Sequence, residues 1–139
     1  MFHNPNRTLS MVFVIGALCG FAVLLVIPTP AQQTTVTRKV LLREDSSIPG
    51  YEVDLVAVDI PVGAREGRHT HPGLAMIHVQ EGTLTLEHEG KPTANYKAGD
   101  NFFVEPGKIH EGRNDGNTPI KILGTFVIKK GMPLTSQVQ

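Results

Sequence analysis

Residues 63–82 read GAREGRHTHPGLAMIHVQEG. His69 and His71 stand two apart, and the apolar run that follows offers no acidic side chain until Glu81. In an extended strand side chains alternate between faces, so the two imidazoles point the same way and form a pincer suited to a metal ion. A chance pair on a solvated face has the same spacing, and the pair alone does not choose. The second half of the chain tips the balance. In GDNFFVEPGKIHEGRN, residues 99–114, His110 follows a Pro-Gly turn, from which it can enter as a third ligand on a neighbouring strand. Neutral imidazole suits Zn, Cu, Fe and Ni, and three ligands leave coordination positions open for binding or chemistry.

The surroundings of these histidines predict strands joined by tight turns. TRKVLLRED, YEVDLVAVDIPVG, AMIHVQEG, TLTLEHEG, TANYKAG, NFFVEPG, IHEGRN and IKILGTFVIKKG are short, rich in β-branched and aromatic residues, and bounded by Gly, Pro or Asp. Glu89-Gly90-Lys91-Pro92 and Lys97-Ala98-Gly99-Asp100 are turn sequences, with Gly free to take positive φ and Pro fixing its own. No stretch after residue 31 combines a helical period with caps. About eight strands at this spacing predict an all-β fold, a small barrel or jelly roll in which closure removes exposed edges.

With these motifs in place the chain resembles the cupins. Gly63, His69, His71 and Gly82 fall at the spacing of that family's first motif, and Gly99, Gly107, His110 and Asn114 at that of its second, with sixteen residues between Gly82 and Gly99. The likeness runs from about Val40 to Ile128 and implies a single jelly-roll-like β-barrel with one interior metal site on His69, His71 and His110. It also implies pairing into homodimers, as small cupins often do. Two positions depart from the family pattern. Glu105 stands where the family has Pro, with Pro106 next, and Ala75 stands where the family has a glutamate ligand. The expected site therefore keeps three histidines and lacks its carboxylate. A carboxylate restored at position 75 is expected to tighten metal retention, provided the longer side chain fits without overpacking the barrel.

The first thirty-one residues are of another kind. A polar stretch with one positive charge, Arg7, precedes the uncharged run MVFVIGALCGFAVLLVI and then PTPA, whose Thr29 and Ala31 fit the small-residue rule for signal cleavage. Residues 1–31 read as a secretory signal peptide, leaving a domain of residues 32–139 in the periplasm or outside the cell. The alternative is an uncleaved anchor, the one route by which the chain would meet a membrane. The only cysteine, Cys19, lies in this run, so residues 32–139 have neither a disulfide nor a thiolate ligand. The formal charge of the whole chain is zero, and without Arg7 it is −1, with 12 basic and 13 acidic side chains. No nucleic-acid footprint is visible.

Other residues read as structural. His78 has the opposite parity to Ala75 and should face away from the site. His88, beside a turn, reads as solvated, and Tyr51, Phe102, Phe103 and Phe126 as core. Glu66 and Glu111 are each one parity step from a proposed ligand, so either could replace the missing carboxylate only through a local break in the strand. Arg65 shares parity with His69 and reads as a surface arginine or an anion contact at the barrel mouth. No GxSxG, available cysteine or phosphate loop is present, and no catalytic side chain can be named. Two functions remain: a metal-dependent enzyme of dioxygenase, isomerase or lyase type acting on a small, anionic, bidentate molecule, or a non-catalytic binder of a small ligand. An exported chain that loads its ion outside should take Zn or Cu on intrinsic affinity, with Fe, Ni or Mn if availability prevails.

Overall fold

The computed structural model describes residues 35–139. The expected signal peptide or anchor, residues 1–31, lies outside them. Ten strands are present: β1 Thr37–Asp45, β2 Tyr51–Ile60, β3 His69–Thr70, β4 Leu74–Glu81, β5 Thr83–His88, β6 Ala94–Lys97, β7 Asn101–Val104, β8 His110–Arg113, β9 Ile120–Lys129 and β10 Ser136–Gln137. Among the described residues there is no helix. The all-β expectation holds, and the two strands beyond the predicted eight, β3 and β10, are two residues long.

All pairings are antiparallel, in two sheets of order β1-β2-β9-β4-β7 and β10-β3-β8-β5-β6. Alternation along each strand decides what lies between them. On β2, Val56, Val58 and Ile60 are buried, and on β9, Ile120, Ile122, Phe126 and Ile128, joined by Leu84 from the other sheet. Each fully buried branched aliphatic chain stabilises the fold by about 1.5–3 kcal/mol relative to exposure. The core between the sheets therefore comes from inward-facing residues of both, as in a jelly roll.

Alternation also corrects one expectation. On β7, Phe102 and Val104 face inward, so Phe103 is turned out and is 45% exposed beside Met76. Phe102 packs on the core and against Tyr96, with ring centroids 4.4 Å apart, Phe126 is buried, and Tyr51 is half-buried.

A register shift between Val40 and Leu42 sets the faces of β1. Before it, Arg38 pairs with Val58 and Val40 with Val56; after it, Arg43 pairs with Asp54. The extra residue lets two arginines five positions apart share the inner face, which an unbroken strand would forbid. Arg43 makes a two-pronged contact with the fully buried Asp54, Nε to Oδ1 at 2.8 Å and Nη2 to Oδ2 at 2.7 Å. Arg38 reaches the cavity described next.

Candidate metal centre

His69 opens β3 and His110 opens β8, and the two are Cα partners in the same sheet. His71 follows β3 by one residue, and its parity with His69 keeps both rings on the inner face. The turn after β7 is tied to this segment, because the Gly107 amide donates to the His71 carbonyl at 2.9 Å. All three histidines are buried, at 2%, 5% and 5% exposure for His69, His71 and His110. Their ring centroids lie 5.0 Å apart for His69 and His71, 4.2 Å for His69 and His110, and 4.9 Å for His71 and His110. One ring nitrogen from each converges to within 4.8 Å of the others. The structure brings together the three residues that parity and spacing selected.

Each ring also has a fixed orientation. Nδ1 of His69 donates to the Gly67 carbonyl at 2.8 Å, Nδ1 of His71 to the Leu134 carbonyl at 2.7 Å, and Nδ1 of His110 to the Lys108 carbonyl at 3.0 Å. A carbonyl can only accept, so each neutral ring carries its proton on Nδ1 and keeps its Nε2 lone pair. Metal-bound histidines are commonly held this way. Burial pushes the pKa of His71 and of His110 down to about 4, and lowers that of His69, against the opposing effect of the carbonyl bonds. Neutral imidazoles in a buried, converging set fit a divalent ion of the nitrogen-preferring kind.

The carboxylate position of the first motif is structural here. Ala75 is fully buried and pairs with Phe126, whose ring stands edge-on to His71 at 4.9 Å. Asn114, at its family position, is 1% exposed and bonds the Ile60 and Thr118 carbonyls, while its oxygen accepts from the Gly116 amide. It therefore pins the chain on either side of the site rather than facing a ligand.

Of the residues read as structural, His88 departs from its expected place, while Arg65 and His78 keep theirs. His88 is not solvated: it is 7% exposed, because it alternates with the buried Leu84 and Leu86. Its ring lies 6.3 Å from that of His110, its Nδ1 donates to the Glu89 carbonyl, and its Nε2 is 2.9 Å from Glu105. Glu105, where the family has proline, thus stands beside His88 and accepts a hydrogen bond from Lys91 at 2.8 Å. Arg65 is on the surface and contacts Glu111 at 3.4 Å. His78 faces away, bonded to Asn101 at 2.9 Å.

Glu66, by contrast, turns into the same cavity as the histidines. Gly67 has φ +75°, a conformation L side chains rarely adopt, and it supplies the break in alternation between Glu66 and His69. The residue missed in the sequence is Arg38, which also lines the cavity. Alternation on β1 placed it with Val40, but nothing in the sequence said which face was inside. The cavity holds about 30 Å³ measured at water centres, room for roughly two waters. Apart from Arg38, Glu66, the histidines and Thr135, its walls are apolar.

Comparison with known proteins agrees with the fold. The cupin domain family model matches residues 56–127. A search of curated proteins by sequence finds no match. Among solved structures, an uncharacterized conserved protein with a double-stranded β-helix domain from Klebsiella pneumoniae superposes with a TM-score of 0.60 at 21% identity, covering 82% of this chain and 90% of that one. The polyketide cyclase RemF from Streptomyces resistomycificus gives 0.60 at 17% identity, covering 82% and 78%. The DMSP lyase DddQ from Ruegeria pomeroyi gives 0.56 at 21% identity over 62% of this chain, which spans only 43% of the lyase. The double-sheet fold, the spacing of both motifs and the family match over residues 56–127 together make this chain a member of the cupin family.

Proposed function

We propose that the protein is a metal-dependent enzyme, exported through its N-terminal leader, that acts on a small organic anion able to chelate the ion. The observation that carries the reading is the common state of the three histidines: every Nδ1 is committed to a carbonyl, which leaves three Nε2 lone pairs for one ion. A bound divalent ion would supply Lewis acidity to a ligand oxygen. The chain's own residues orient the imidazoles, exclude bulk water and keep the protein's contribution neutral. With no carboxylate at position 75, the charge of the ion is left for the ligand to meet, which favours anionic bidentate molecules. The DMSP lyase and the polyketide cyclase among the fold's neighbours are in keeping with a small-molecule site.

The test is elemental analysis of protein purified from its native compartment without chelator, followed by turnover assays with small diketones, phenols and organic acids. One equivalent of zinc or copper with turnover is expected. Metal with tight ligand retention but no turnover would make the protein a binder, and protein without metal would contradict the reading.

A further inference from the structure

The metal reading leaves three polar side chains of the cavity unused, Thr135 and the charged pair Arg38 and Glu66. Arg38 enters from β1, its side chain 30% exposed, and Glu66 enters from the segment before β3, its side chain 12% exposed. Nη2 of Arg38 donates to Oε1 of Glu66 at 2.8 Å. The other oxygen of Glu66 packs against Gly112 so closely that a Cβ at that position would collide with it, so the carboxylate sits in a fitted recess. This anchored bond engages one of the five N–H donors of a guanidinium, and among the described residues Arg38 shows no other side-chain hydrogen bond. Arg38 and Glu66 line the same cavity as His69, His71 and His110.

We infer that Arg38 selects the ligand at this site: its guanidinium, anchored by Glu66, receives the carboxylate of a small organic acid whose other oxygens reach the ion held by His69, His71 and His110. The inference rests on the metal reading and adds to it the nature of the second anionic group. A guanidinium offers paired, coplanar donors that match the two oxygens of a carboxylate, which a lysine ammonium does not. Apolar walls strengthen such a contact, and Glu66 prevents the arginine from standing as an unpaired charge before the ligand arrives. The partial exposure of Arg38 places it at the opening, where a ligand too large for two waters' space can extend.

Malonate and acetylacetonate are a matched pair of probes. Both chelate through two oxygens three carbons apart, and they differ where malonate carries further carboxylate oxygens and acetylacetonate carries methyl groups. Zinc-loaded full-length protein is titrated with each by calorimetry, after zinc affinity itself has been measured. In Arg38→Met, malonate should bind about tenfold or more weakly while acetylacetonate stays within about twofold, as expected for loss of charged hydrogen bonds. Arg38→Lys should recover only part of the loss. Because Arg38→Met leaves Glu66 buried without its cation, the double variant Arg38→Met/Glu66→Gln is measured alongside and should show the same discrimination.

Equal loss of both probes, or no loss of malonate in the double variant, would overturn the inference and leave the metal reading standing. A Glu66→Gln variant that loses zinc as fully as His71→Ala would also overturn it, since Glu66 would then be a ligand and not an anchor. If the loaded parent binds neither probe, the chelation reading fails and the inference with it.

Discussion

Ala75 and Phe126 are partners across β4 and β9, and the ring for which Ala75 leaves room stands edge-on to His71, with centroids 4.9 Å apart and an interplanar angle of 72°. Gly124 completes that room, since a Cβ there would lie 2.6 Å from Cε2 of Phe126. The small residue at position 75 and the large one at 126 are therefore one packing solution. The ring occupies the side of His71 from which a carboxylate at 75 would approach.

Ala75→Glu alone should then destabilise the apo protein by about 1–3 kcal/mol through overpacking, measured by urea denaturation. It should tighten metal retention only when Phe126 is also cut back to Ala, as read in competition with a chromophoric chelator. Tighter retention in the single variant would show that the ring yields easily and that the packing argument is wrong.

The pH dependence should be displaced to acid. His71 and His110 have pKa values of about 4 in the fold because burial disfavours the imidazolium, and His69 is shifted the same way. In the unfolded chain a histidine titrates near pH 6.5. As pH falls below that value the unfolded state takes up protons that the fold resists. Apo stability is thus full above about pH 6.5 and declines toward pH 4. Metal should stay bound at pH 5.5, below the range of pH 6–7 expected for free histidines. Melting temperatures across pH 4–8, with calorimetric metal titrations at pH 5.5 and 7, check both statements. A metal-binding midpoint near pH 6.5 would contradict the buried, neutral triad.

His88→Ala should lower stability by about 1–3 kcal/mol, because a buried polar contact is lost and the Glu89 carbonyl loses its donor. It should leave metal stoichiometry unchanged, as the ring lies beside His110 but outside the converging set. Denaturation and elemental analysis of the same preparation separate the two effects. Loss of metal without loss of stability would make His88 part of the centre.

The residues that sequence alone could locate are those whose signal is local. β1 was legible as TRKVLLRED because turn residues bound a β-branched run, and the triad because parity and motif spacing need no knowledge of sheet order. β3 and β10 were not, since two residues carry no alternation. Arg38 depends on which face of β1 meets Val58, twenty residues away, and on a shift at Leu41 that no composition rule announces. Glu66 depends on the positive φ of Gly67, which undoes the parity count from His69. The burial of His88 was legible, because it alternates with Leu84 and Leu86, but the adjoining Glu89-Gly90 turn pointed to solvent instead. Phe103 was misread by composition where alternation with Val104 would have placed it outside.

The central claim is that His69, His71 and His110 jointly hold one divalent ion. Calorimetric titration of zinc into the apo parent and into His69→Ala, His71→Ala and His110→Ala tests it most directly, with His78→Ala as the control. The account predicts one site in the parent and in the control, and loss of stoichiometric binding in each of the three triad variants with the fold retained. Parent-like binding in any folded triad variant would contradict it.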